Sequence, residues 1–291
     1  MDRILFGDNQ FFAINHISEE KSRSLSIKFK DDDAVIQTLD TAREAGINTF
    51  MCTTHERIGN ICDHVRKYPE KYKDFEIYPC MPYAHKYANA VTELGYWETI
   101  KQYVPGNFLS VVAKGGIAYL SKDFVSIVQL LIDAEMKMFK GIKTPVIWLQ
   151  NIVTDLLLGL GMKEMFIAFH DHIRKKYNAE VGFITMNMPK LVEMLDSCNI
   201  HDAIICTSIN KIGFRMPGGR KLYEDTLKGR KLRIVAMQVL AAGAISPDEA
   251  IEYVCSLPNI ESILFGASSK VHIFDTVAKI QHYDSIYQNR G

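Results

Sequence analysis

Short apolar runs and amphipathic stretches alternate along the whole chain. The runs are Ile4 to Gly7, Asn48 to Cys52, Phe75 to Met81, Phe108 to Ala113, Val146 to Gln150, Val181 to Thr185, Ala203 to Thr207, Arg233 to Leu240 and Ile263 to Gly266. Runs of this kind, bounded by turn residues, predict buried strands, and the stretches between them repeat apolar residues at helical spacing. Helix starts stand where caps belong: Asp31-Asp32-Asp33 before Ala34-Val35-Ile36, Ser121-Lys122-Asp123 before a stripe from Val125 to Met138, and Met188-Pro189 before Leu191-Val192.

The unit is clearest in the closing stretch from Arg233 to Thr276. There an apolar run is followed by a helix announced by Ser246-Pro247-Asp248-Glu249, then by a second run ending in Gly266-Ala267-Ser268-Ser269. Strand, helix, strand requires a parallel sheet. The alternation is unbroken by a linker, and no run leads into a Gly-x-Gly-x-x-Gly turn. These features predict an α/β chain folded as one (β/α)8 TIM barrel spanning residues 1–291, rather than an open doubly wound sheet. Nine runs exceed eight strands by one, and Phe108 to Ala113 is the leading suspect for the surplus.

Composition narrows the class without changing it. The 291 residues are 47% hydrophobic, and 34 Lys+Arg, scattered along the chain, balance 34 Asp+Glu, so no nucleic-acid surface is indicated. The six cysteines form no CxxC pair and read as free thiols. No leader pattern or membrane-length apolar window stands out, which predicts a cytoplasmic protein with no membrane partner. Met-rich stretches such as Glu135-Met136-Lys137-Met138 suit gap filling or an interface, so a homo-oligomer stays open.

In such a barrel the chemistry sits just after each strand. The first run is followed by Asp8, Asn9 and Gln10, with His16 further on; the second by His55, Glu56 and Arg57; the third by Tyr83, His85 and Lys86. Later strand ends carry Lys114, Gln150, Asn187, Asn210, Gln238 and Ser268-Ser269. Asp, Asn and Ser there also serve as helix caps or turn residues. Histidines are harder to explain as caps, so His16, His55 and His85, following successive strands, are candidates for a general base, a donor to a carbonyl oxygen, or metal ligands. No His-x-His or His-Glu-x-x-His spacing makes a metal specific, and no metal ligand is assigned. His64, His170, His172 and His201 read as surface residues.

From Val146 to Thr276 the order of parts resembles the aldo-keto reductases. The most specific matches are Ala244-Ile245-Ser246-Pro247-Asp248-Glu249-Ala250 and Phe265-Gly266-Ala267-Ser268-Ser269. The resemblance implies a barrel in which Gly266, Ser268, Ser269 and Lys270 hold the phosphates of NADP or NAD. It also implies oxidoreduction of a small polar carbonyl or hydroxyl compound. The N-terminal half departs from the family. Where the family carries an aspartate and then a tyrosine, this chain has Cys52 and then His55-Glu56-Arg57. The family's strand-end lysine falls at Cys80, or at Lys114 if Val111 to Lys114 is the third strand, and its histidine at Gln150.

The expected catalytic residues are therefore His55, His85, Tyr83 and Lys114, with Asp8, Asn9, Gln10, His16, Arg57, Lys86, Gln150 and Asn187 toward the substrate. A non-redox lyase, isomerase or epimerase using the histidines, with or without a divalent metal, is the alternative. A catalytically inactive ligand-binding barrel is a third reading.

Overall fold

Eight of the nine apolar runs supply the eight strands of a closed barrel. The computed structural model describes residues 1–12, 19–83 and 117–287. Its strands are β1 (Ile4–Gly7), β2 (Thr49–Thr53), β3 (Glu76–Met81), β4 (Val146–Leu149), β5 (Glu180–Thr185), β6 (Ile204–Ser208), β7 (Ile234–Met237) and β8 (Ile260–Phe265). They pair in chain order, all parallel, and β8 closes on β1. The barrel closes without Phe108 to Ala113, because β3 pairs directly with β4.

That pairing corrects one alternative. The third strand is β3, so the strand-end position of the family lysine falls at Cys80, and the reading in which Lys114 ends the third strand does not hold. Lys114 itself, with the run before it, lies outside the described residues.

Strand residues sort by alternation into two sets. Leu5, Met51, Tyr78, Cys80, Val146, Trp148, Ile204, Cys206 and Val235 pack together inside the barrel. Their neighbours Phe6, Phe50, Ile77, Ile147, Phe183, Ile205 and Ile234 pack outward under the helices. Trp148 is fully buried, and across from it on β5 stands Gly182. A Cβ there would lie 2.1 Å from the indole, so only glycine leaves room for the ring.

The helices are α1 (Glu19–Lys28), α2 (Asp32–Glu44), α3 (Glu56–Lys67), α4 (Ile117–Met136), α5 (Asn151–Leu160), α6 (Lys163–His172), α7 (Met188–Ser197), α8 (Gly219–Lys228), α9 (Pro247–Cys255) and α10 (Lys270–Tyr287). Several boundaries shift from the sequence pattern; strand β8, for one, begins at Ile260, three residues before the apolar run read there. Helix α4 begins at Ile117, ahead of the polar Ser121-Lys122-Asp123. Strand β7 stops at Met237, because Gln238, Ala241 and Ala242 take left-handed backbone conformations that a strand excludes. No helix among the described residues is long and apolar enough to cross a membrane.

Candidate functional site

The carboxyl ends of β1, β2 and β3 bring a small group of polar side chains together. Asp8 follows β1 and is buried; its Oδ2 accepts from the backbone N–H of Thr53 (2.7 Å) and from the Thr53 hydroxyl (2.8 Å). Burial raises the Asp8 carboxyl above its ordinary range against the pull of those donors. His55 caps α3, its Nδ1 accepting from the Arg57 backbone N–H (3.1 Å). Its ring lies 4.6 Å from that of Phe12 and meets the Tyr83 ring edge-on at 5.6 Å.

Burial lowers the His55 imidazole, which favours the neutral ring. Burial also raises the Tyr83 phenol, and the charge of Asp8 adds to the effect, so its proton is held firmly. The structure thus joins Asp8, His55 and Tyr83 from three strand ends.

Two carboxylates not anticipated from the sequence hold strand ends, one in this region and one at β5. Glu135 of α4 is buried; its Oε2 accepts from the Thr54 hydroxyl (2.6 Å), and both its oxygens accept from the Tyr83 backbone N–H (3.1 and 3.2 Å). Asp155 of α5 accepts from the Thr185 hydroxyl and from the Met186 backbone N–H (3.0 Å), and its carboxyl is raised by burial. In both cases, as at Asp8, one carboxylate binds a strand-end threonine and a backbone N–H. The only local sequence signal is an acidic residue within an apolar helical stretch.

Other expected site residues carry structural tasks. The Arg57 Nε donates to Asp32 (2.8 Å) and its guanidinium also reaches the Phe11 carbonyl (3.3 Å). The Asp32 carboxyl, which burial would raise, is held down by hydrogen bonds from Arg57 and Asn60. Asn187 caps α7, accepting from the Lys190 N–H (3.3 Å). Gln150 is buried after β4, its backbone N–H donating to Met81 (2.9 Å). Asn9 is exposed in a short 3-10 turn. His16, His85 and Lys86 lie outside the described residues. Among the described residues, no three His, Cys, Asp or Glu side chains are grouped to hold a metal. Of the histidines read as surface residues, His170 pairs with Asp202 and His172 with Asp133 (2.8 Å each).

The turn after β8 is the second half of the site. Gly266 is exposed, and a Cβ there would lie 2.1 Å from Gln10 Oε1, so the glycine lets Gln10 lie against the turn. Gln10 Nε2 is anchored on the Gly7 carbonyl (2.7 Å). Ser269 caps α10, its Oγ accepting from the His272 N–H (3.3 Å). The first turn of α10 holds no acidic residue. The Lys28 ammonium of α1 donates to the Ser268 carbonyl, and Lys270 extends to Glu44 (2.7 Å). A helix N-terminus whose own first turn is free of acid, with Lys28 beside it and Lys270 shared with Glu44, suits a phosphate, so these residues fit the diphosphate end of a nicotinamide cofactor. Lys28 could not be found by spacing, since it meets Ser268 only through the fold.

A cavity of about 550 Å³ lies at the opposite end of the barrel, among Asp2, Arg3, Gly46, Asn48, Gln281 and Asp284. Arg3 there is already joined to Asp284 by two hydrogen bonds (2.6 and 2.8 Å), and barrels keep their chemistry at the other face.

No protein-family model matches the chain, and no curated protein matches it. Solved structures do. A Pseudomonas aeruginosa protein assigned to the aldo-keto reductases superposes with TM-score 0.58 at 12% identity, over 97% of this chain and 91% of that one. An aldo-keto reductase from Bacillus halodurans in its holo form gives 0.50 at 13%, over 98% and 92%. The aldo-keto reductase of Klebsiella pneumoniae in complex with NADPH gives 0.50 at 11%, over 88% and 85%. The chain therefore has the aldo-keto-reductase-like (β/α)8 fold.

Proposed function

We propose that the barrel mouth carries NAD(P)-linked oxidoreduction of a small polar carbonyl or hydroxyl compound. The observation that carries this reading is the N-terminus of α10, whose first turn holds no acid, with Lys28 beside it and Lys270 paired to Glu44, at the end of the barrel where Tyr83 and His55 meet. That the similarly folded Klebsiella barrel is a complex with NADPH supports it. Gly266, Ser268, Ser269 and Lys270 would hold the phosphates, with Lys28 adding charge from α1. A bound nicotinamide supplies hydride exchange with carbon. The chain supplies the proton. Tyr83, kept protonated by burial and by Asp8, donates to the carbonyl oxygen, and the neutral His55 ring orients that phenol. Asp8, Gln10 and Gln150, which follow β1 and β4, would be the nearest polar groups for a substrate at the strand ends.

The test is a thermal-shift titration with NADPH, NADP, NADH and NAD. Ligand at a hundred times its dissociation constant stabilises by about 2.7 kcal/mol, a shift of several degrees. Lys28→Ala and Lys270→Ala should weaken that binding. Absence of a shift with all four cofactors would overturn the reading. No observation among the described residues favours the non-redox alternatives over it.

A further inference from the structure

Tyr83 and His55 belong to different strand ends, yet their rings meet at 5.6 Å. The chain after β2 and the chain after β3 must therefore be held in register beyond the last ladder bonds. The side chain that does this comes from neither. Glu135 lies on α4, 52 residues beyond Tyr83, and binds both ends at once through the Thr54 hydroxyl (2.6 Å) and the Tyr83 N–H (3.1 and 3.2 Å). Thr54 is buried and directly precedes His55. We propose that Glu135 is a positioning residue, which sets the Tyr83 and His55 rings against each other by tying their two loops to one carboxylate.

Chemistry dictates the residue type. Two groups, the Thr54 hydroxyl and the Tyr83 N–H, converge on one buried carboxylate, which accepts from both at once. A glutamine in its place weakens the tie, because it keeps both contacts only if the Thr54 hydroxyl reverses to accept from the N–H₂. An alanine leaves both donors buried without an acceptor. Thr54→Val removes one of the two ties and leaves the carboxylate.

That the tied pair is the proton-donating pair rests on the function proposed above; the tie itself does not. Two measurements separate them. The first is the NMR titration of the His55 ring, assigned by its loss in His55→Ala, in the wild type, Glu135→Gln and Thr54→Val. In the wild type burial holds the ring below its ordinary value. In Glu135→Gln the titration should move upward as the ring leaves Phe12 and Tyr83, with a smaller move in Thr54→Val. The second is turnover with NADPH and a carbonyl substrate. There kcat should fall at least about tenfold in Glu135→Gln, with cofactor affinity within about twofold of wild type. If Glu135→Gln and Thr54→Val both fold and His55 titrates in both as in the wild type, the proposal is overturned, whatever the turnover. If His55 moves while the wild type binds no cofactor, the positioning role stands and the redox reading fails.

Discussion

The two ends of the barrel solve the same problem, the burial of charge, in opposite ways. At the amino ends of the strands, cation meets anion. Arg233 hydrogen-bonds Glu261 (2.7 and 2.8 Å) and Glu180 (2.5 Å), and Arg3 holds Asp284. At the carboxyl ends, Asp8, Glu135 and Asp155 bind threonine hydroxyls and backbone N–H groups. The electrostatic result differs in sign. Hydrogen bonds from Arg233 outweigh burial and lower the Glu261 carboxyl, whereas burial wins at Asp8 and Asp155 and raises theirs. One end thus lowers its carboxyls through ion pairs, while the other raises them by burial beside neutral donors.

The largest effect that could break this contrast is at the mouth. Tyr83→Phe should lower turnover by about 10²-fold or more while leaving Tm within about 2 °C, because it removes a proton donor and little packing. A parallel fall of Tm and rate would place Tyr83 with the stabilising end instead. Arg233→Met should do the reverse. It strands Glu180 and Glu261 and should cost about 1–2 kcal/mol by urea unfolding, discounted for partial exposure, with turnover unchanged.

Acidity sharpens the comparison further. A carboxyl lowered in the folded state contributes stability above its unfolded value and loses it as pH falls through the folded one. Glu261→Gln should therefore cost about 1 kcal/mol near neutrality and progressively less below about pH 4.5, followed as Tm against pH. Asp8 has the opposite sign. Its raised carboxyl favours the fold below the ordinary value and loses that advantage as pH rises through the raised one. Asp8→Asn, which keeps an acceptor for Thr53, should leave neutral-pH stability within about 0.5 kcal/mol of wild type or slightly above it. A clear loss of stability there would mean that the charge of Asp8, rather than its acceptor capacity, secures β2.

The barrel was legible because strand identity is written locally. Val181 to Thr185 or Ile204 to Thr207 needs only its own apolar run to be recognised, and both faces of such a strand are buried. Much of the mouth could be named too, since Asp8, His55 and Tyr83 stand immediately after strands. Its supports could not. Asp133 and Glu135 are two acids two residues apart on α4, yet Asp133 meets Lys176, His172 and Tyr177 while Glu135 turns to the ends of β2 and β3. Nothing local separates them; the rotation of α4 on the barrel does. Lys28 meeting Ser268 is likewise a product of ring closure, which brings distant segments together without a mark in either.

The indole of Trp148, seated over Gly182, also gives the molecule an optical handle. The chain has two tryptophans, and this one is sealed from water inside the barrel. Its emission should be blue-shifted and insensitive to added aqueous quenchers for as long as the strands stay closed. In Trp97→Phe it becomes the sole tryptophan, so a single trace excited at the red edge of indole absorption would time the opening of the barrel independently of any event at the loops above it.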